Sequence, residues 1–180
     1  TTNIMVEINS PMKKSMISNS FGTSELQITY EDISNANIKI IDFGLSKVLG
    51  INETSNDPYG SLSFKAPELV LNQNYNFKVD IWALGISLYY IIYKIVPFEG
   101  GTRDEIKKKI INNPIIYYEN DILSNVSYYH DFINEIDKDS KESQSCILYS
   151  ILKDCLVKNP KERFSIDELY NKNNEIIKNF

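Results

Sequence analysis

Histidine is nearly missing from this chain, since His130 is the only one among 180 residues. Cysteine is hardly commoner, with Cys146 and Cys155 alone. These few residues cannot assemble a Cys/His metal cluster, and two thiols fall short of the disulfide framework of a small secreted domain. The expected state is a pair of free thiols in a reducing, cytoplasmic setting. His130 lies among Tyr128, Tyr129 and Asp131, which suits a surface or hydrogen-bond-satisfied residue. Net positive charge is lacking too. The formal charge is −5, and basic residues are scattered apart from Lys13-Lys14 and Lys107-Lys108-Lys109. That balance argues against a nucleic-acid partner. Long apolar runs are absent as well. The most apolar stretch, Ile81 to Ile92, falls well short of the roughly 20 residues a membrane span requires, so it reads as a buried helix and no membrane partner is expected. The opening stretch Thr1 to Glu7 has no basic segment followed by an apolar one, as a signal peptide would. No internal repeat and no EF-hand loop occur.

What is present fits one globular domain. Apolar residues make up 42% and charged residues 24%, near the globular norm, and the length suffices for a real core. Asn3 to Glu7 reads as a short strand carrying Ile4, Met5 and Val6. Residues 9–37 are polar and without period, which predicts a long, mobile insertion. Ile38 to Ile41 predicts a second strand, ended by Asp42-Phe43-Gly44, and Leu45 to Leu62 reads as loop. Pro67 suits the first position of a helical turn reaching Leu71. Lys78 to Tyr93 predicts a helix that is apolar nearly all round and therefore central. Thr102 to Asn112 predicts another, with Thr102 as N-cap and Glu105 at the capping-box position. Ile115 to Ser145 looks irregular. Cys146 to Val157 predicts a helix from the spacing of Ile147, Ile151 and Cys155, and a last helix starts near Ser165 with Glu168 completing a capping box. The sum is a mainly α chain with a short β-strand pair at its N-terminal edge.

The chemical signals come in series. Asp42, at a strand end and followed by Phe43-Gly44, is well situated to present a carboxylate to a metal ion. Ala66-Pro67-Glu68, Asp80-Ile81-Trp82-Ala83-Leu84-Gly85, Pro97-Phe98 and Asn159-Pro160-Lys161-Glu162-Arg163 follow in order. In these motifs the chain resembles the eukaryotic protein kinase family, from Ile38 to about Leu169. Ile40 to Ser46, Pro97 to Gly100, and the later Glu105-Ile106 and Lys109-Ile110 look most like the calcium/calmodulin-dependent and calcium-dependent Ser/Thr kinases.

The resemblance implies the helical C-terminal lobe of a kinase, with residues 38–180 forming the lobe, 42–68 its activation segment and 78–93 its central helix. It implies ATP and Mg²⁺ as cofactors of the complete kinase, with Asp42 as one Mg²⁺ ligand. The opening Thr1-Thr2-Asn3-Ile4-Met5-Val6 matches the end of the family's catalytic loop and the strand after it. Residues 1–8 would then be that loop end and strand, and Asn3 the second Mg²⁺ ligand. Glu68 and Arg163 would form a buried ion pair anchoring the activation segment. Asp80 would cap the catalytic-loop backbone, and Trp82 would be core. Gly60-Ser61-Leu62-Ser63-Phe64-Lys65 stands where the family has G-T-x-x-Y-x. Ser61 keeps the hydroxyl typical of Ser/Thr kinases, whereas Phe64 loses that of the usual Tyr. Thr54, Ser55 and Ser63 are phosphosite candidates, because a loop phosphate can pair with arginine and order the segment.

The resemblance also exposes gaps. No H-R-D motif, Gly-rich phosphate loop or ATP-site Lys occurs in these residues, so the catalytic base is expected upstream of Thr1 and the N-terminal lobe is expected as a partner. Two functions fit: part of a Ser/Thr kinase acting on protein substrates, inactive alone, or a non-catalytic kinase-like scaffold or regulatory module. The face left for the absent lobe is expected to promote self-association.

Overall fold

The computed structural model describes residues 3–7, 36–117 and 149–178. The chain divides into two compact units, one ending at Ser46 and the other starting at Lys47. In the first, β1 (Ile4–Glu7) pairs antiparallel with β2 (Asn37–Ile40), in a register running from Ile4 opposite Ile40 to Glu7 opposite Asn37. Both strands thus start one residue away from the sequence expectation. Asn3 lies in a turn before β1, and Asn37, expected to close the insertion, is the first residue of β2. The shift is physical, because a strand ends where ladder partners end and not where the apolar residues do. The rest of the expected insertion, through residue 35, lies outside the described residues. The apolar side chains Ile38 and Ile40 are strongly exposed.

The second unit is helical. Residues 47–61 follow an irregular path, tied by an isolated antiparallel bridge between Ser55 and Tyr75. A 3₁₀ turn at Leu62–Phe64 leads to the short helix α1 (Pro67–Val70), whose first residue is the proline expected there. The helix α2 (Lys78–Tyr93) matches its predicted bounds. It stops where Lys94 turns to a left-handed φ of 59° and donates its N–H to the Tyr90 carbonyl. The helix α3 (Arg103–Asn112) is capped by the Thr102 hydroxyl, which accepts from Glu105 N. A further helix, α4, is described over 149–155 and ends two residues short of the expected stop. The helix α5 (Ile166–Lys178) opens on the predicted capping box: Glu168 N donates to Ser165 Oγ, and Ser165 N to Glu168 Oε2 at 2.6 Å. The expected start of α4 at Cys146 and most of the irregular stretch before it fall within residues 118–148, outside the described residues.

One cluster forms the core of this unit: Trp82, Ile86 and Tyr89 from α2, Phe98, Ile110 from α3, Leu152 and Cys155 from α4, then Leu156, with Leu169 from α5. Trp82 and Phe98 stack with parallel rings, 6.4 Å between centroids. At Gly85 the backbone of α2 lies close against the end of α4. A Cβ there would stand 2.7 Å from Cys155 Cβ and from a Leu156 methyl. The expectation for α2 is a central position, and one of its sides lies in this cluster. Its other side leaves Leu84, Tyr90 and Ile91 at 36–50% exposure. Among the described residues no helix is long and apolar enough to cross a membrane.

Candidate functional site

In the first unit the strand pair brings two oxygen-bearing side chains to one end. Ile41 N donates to the Asn3 carbonyl at 3.0 Å, which extends the ladder by one step and sets Asn3 across from Ile41, next to Asp42. Asp42 takes a left-handed φ of 64°, a costly conformation for a residue with a Cβ and one that clusters at functional sites. Both side chains are exposed. An amide oxygen and a carboxylate are hard donors, and Mg²⁺ commonly takes only one or two protein carboxylates while keeping water and phosphate oxygens around it. The donor set therefore fits Mg²⁺.

In the second unit one ion pair is sealed from solvent. Asn159 folds the Asn159-Pro160-Lys161-Glu162-Arg163 turn on itself: its side-chain oxygen accepts from Lys161 N, and its carbonyl from Glu162 N and Arg163 N. The turn aims the Arg163 side chain inward, where it is 0% exposed. Its guanidinium meets the Glu68 carboxylate in a two-pronged contact, at 2.7 and 3.0 Å. The remaining three N–H groups reach backbone carbonyls of Val157, Lys78 and Lys158. All five donors of the guanidinium are thus used, as a buried arginine requires. Its Cζ also lies 5.1 Å from the centroid of the Trp82 ring. Lys78 returns the contact by donating its Nζ to the Arg163 carbonyl.

The other predicted residues are less uniform. Trp82 is fully buried, and its indole N–H has no hydrogen-bond partner among the described residues. Asp80 stands in the first turn of α2, and its carboxylate makes no hydrogen bond or ion pair among the described residues. One side of it is open to solvent, yet the protein packed around the other side desolvates the carboxyl and raises its pKa. Ser61 is exposed and its carbonyl accepts from Phe64 N, opening the 3₁₀ turn. Gly60 before it takes a φ of +100°, which only glycine adopts without strain.

The three phosphosite candidates separate. Thr54 is exposed and Ser63 half-buried, but Ser55 is 5% exposed and its hydroxyl is fully engaged. It accepts from Lys47 Nζ at 3.1 Å and donates to Asp57 Oδ2 at 2.7 Å. In this conformation Ser55 is not an accessible phosphoacceptor. Lys47, Asp57 and Tyr75, which complete this arrangement, have no mark in the sequence beyond opposite charges in a loop. Lys158 was equally silent. Its Nζ donates to the carbonyls of Ile111 and Asn113, closing the end of α3, and burial lowers its pKa.

Comparison with known proteins gives this geometry its context. The family model for the protein kinase domain matches residues 27–173. The chain belongs to the protein kinase family. The described residues, mostly helical with one two-stranded sheet, are the C-terminal-lobe part of that domain. The chain is 31% identical over 141 residues to the DNA damage response protein kinase DUN1 of Saccharomyces cerevisiae, covering 78% of this chain and 24% of that protein. It is 38% identical over 77 residues to calcium-dependent protein kinase 6 of Plasmodium berghei, which covers 42% of this chain and 5% of the relative. With calcium-dependent protein kinase 25 of Arabidopsis thaliana it shares 38% over 84 residues, 47% of this chain and 16% of the relative. The kinase chain thus spans about a quarter or less of the length of these relatives.

Proposed function

We propose that this chain is the C-lobe portion of a Ser/Thr protein kinase that, in the complete domain, transfers the γ-phosphoryl group of ATP to Ser or Thr hydroxyls of protein substrates. The observation that carries the reading is the register of β1 and β2, which sets Asn3 beside the left-handed Asp42 at one end of the strand pair. Asp42 and Asn3 would hold Mg²⁺, which when bound neutralises charge on the phosphate oxygens. Ser61, on the exposed substrate-facing segment after Gly60, would contact the catalytic loop with its hydroxyl, the group that Ser/Thr kinases keep at this position. Glu68 and Arg163 would anchor the end of the activation segment, 42–68, so that this substrate-facing stretch keeps its path. Asp80 would cap the catalytic-loop backbone from the start of α2. The reading includes an intracellular setting, in keeping with the buried free thiol of Cys155.

The 180 residues contain no H-R-D aspartate to accept the substrate proton, so the isolated chain is expected to show no turnover in a radiolabelled transfer assay. In the full-length protein, Asp42→Asn is expected to lower kcat by about 10²-fold or more, by analogy with the loss of one charge-stabilising group elsewhere. Binding of ATP and Mg²⁺ by the full-length protein without transfer to any peptide would favour the scaffold reading and defeat this one.

A further inference from the structure

The irregular stretch 47–57 is held by a closed triangle of side chains. Lys47 Nζ donates to Ser55 Oγ at 3.1 Å and to Asp57 Oδ2 at 3.0 Å, while the Ser55 hydroxyl donates to the same Asp57 oxygen at 2.7 Å. Asp57 N approaches Ser55 Oγ at 3.4 Å and adds a local turn. The triangle is pinned from the other side. Ser55 N donates to the Tyr75 carbonyl at 2.9 Å, and Tyr75 N to the Ser55 carbonyl at 2.8 Å, a two-bond bridge to the segment that leads into α2. Ser55 therefore lies at the crossing of a backbone bridge and an ion pair, and it is nearly sealed from solvent.

A loop is ordered by phosphorylation when the new negative charge meets a cation held elsewhere in the fold. Here a carboxylate already occupies that relation to Lys47. We propose that Lys47, Ser55 and Asp57 form a built-in latch that keeps residues 47–57 closed on Tyr75 without any phosphate. The Ser55 hydroxyl and the Lys47 ammonium both hold the Asp57 carboxyl below its usual range, in keeping with a carboxylate that stays ionised in the latch. An anionic group at position 55 opens the latch, since it stands against Asp57 at hydrogen-bond distance and meets like charge. That the latch governs an activation segment rests on the function proposed above, but its closure does not.

Amide hydrogen exchange on the 180-residue chain, produced without phosphate as verified by intact mass, tests the latch. Ser55 and Tyr75 amides are expected to be protected in the unmodified chain. Lys47→Met and Asp57→Asn are each expected to speed exchange in peptides covering 47–57 and Tyr75 by roughly threefold or more, the scale of a charge pair with partly exposed members. Peptides covering Trp82–Tyr93 are expected to keep their rates. The swap Lys47→Asp with Asp57→Lys is expected to recover part of the protection, and Ser55→Asp to remove it. Ser55→Ala carries the same test if a charge variant does not fold. Exchange of the unmodified segment at free-peptide rates, protection that appears only after phosphorylation, unchanged rates in the variants, or a rise spread over the whole chain would each overturn the latch. Transfer activity takes no part in the measurement, so failure of the kinase reading and failure of the latch are separate results.

Discussion

Glu68 and Arg163 show how much one contact can depend on its partner. Each is buried, and the guanidinium has no donor left over. Glu68→Ala leaves a cation sealed from water with two of its five N–H groups unpaired, and is expected to cost about 3–5 kcal/mol of unfolding free energy. Urea denaturation of the two chains measures it, and a loss below about 1 kcal/mol would class the pair with ordinary surface bridges. Asp80 is the opposite case, a carboxylate that burial penalises and no described partner compensates. Its folded pKa stands above the ordinary value of 3.8, so the folded chain holds the proton to higher pH than the unfolded chain does. The fold loses stability as pH rises through that range. Asp80→Asn is therefore expected to raise Tm at neutral pH, with the gain shrinking as pH falls below the ordinary carboxylate range. An equal gain at both ends of the titration would assign it to packing instead. A residue that weakens its own fold suits a functional position.

At the scale of elements, the local code was easy to read. The Thr102 and Ser165 caps, the proline opening α1 and the limits of α2 follow from chemistry within a few residues of each helix end. Strand limits were displaced by one residue because they depend on a partner strand far along the chain. The approach of α2 to α4 is likewise a property of two elements. Gly85 makes it possible, since an added methyl would overlap Cys155 and Leu156. Gly85→Ala improves helix propensity, yet it is expected to destabilise by about 1–3 kcal/mol from overpacking. A thermal melt decides the sign, and a stabilised variant would mean that α4 moves aside freely.

For the molecule as a whole, the exposed side of α2 matters most. Leu84, Tyr90 and Ile91 lie along it, with Ile95 just beyond the helix end, all exposed. Apolar side chains grouped in this way favour contact with another surface. The chain is expected to self-associate in a concentration-dependent manner by sedimentation, and Ile91→Lys to shift it toward monomer. A monomer at all concentrations would remove self-association from the proposed partners.

The amino-acid order alone was enough to specify α1, α2, α3 and α5, the Thr102 and Ser165 caps and the motif series from Asp42 to Arg163, because these rest on neighbours a few residues apart or on short runs of characteristic type. The resemblance carried by those motifs also implies the pairing of Glu68 with Arg163. Which carbonyls complete the arginine, which side of α2 stays bare, and that Ser55 is held by Lys47, Asp57 and Tyr75 were decided only by the tertiary structure. Those contacts join segments that no local period links, so their partners exist only once the chain has brought them together.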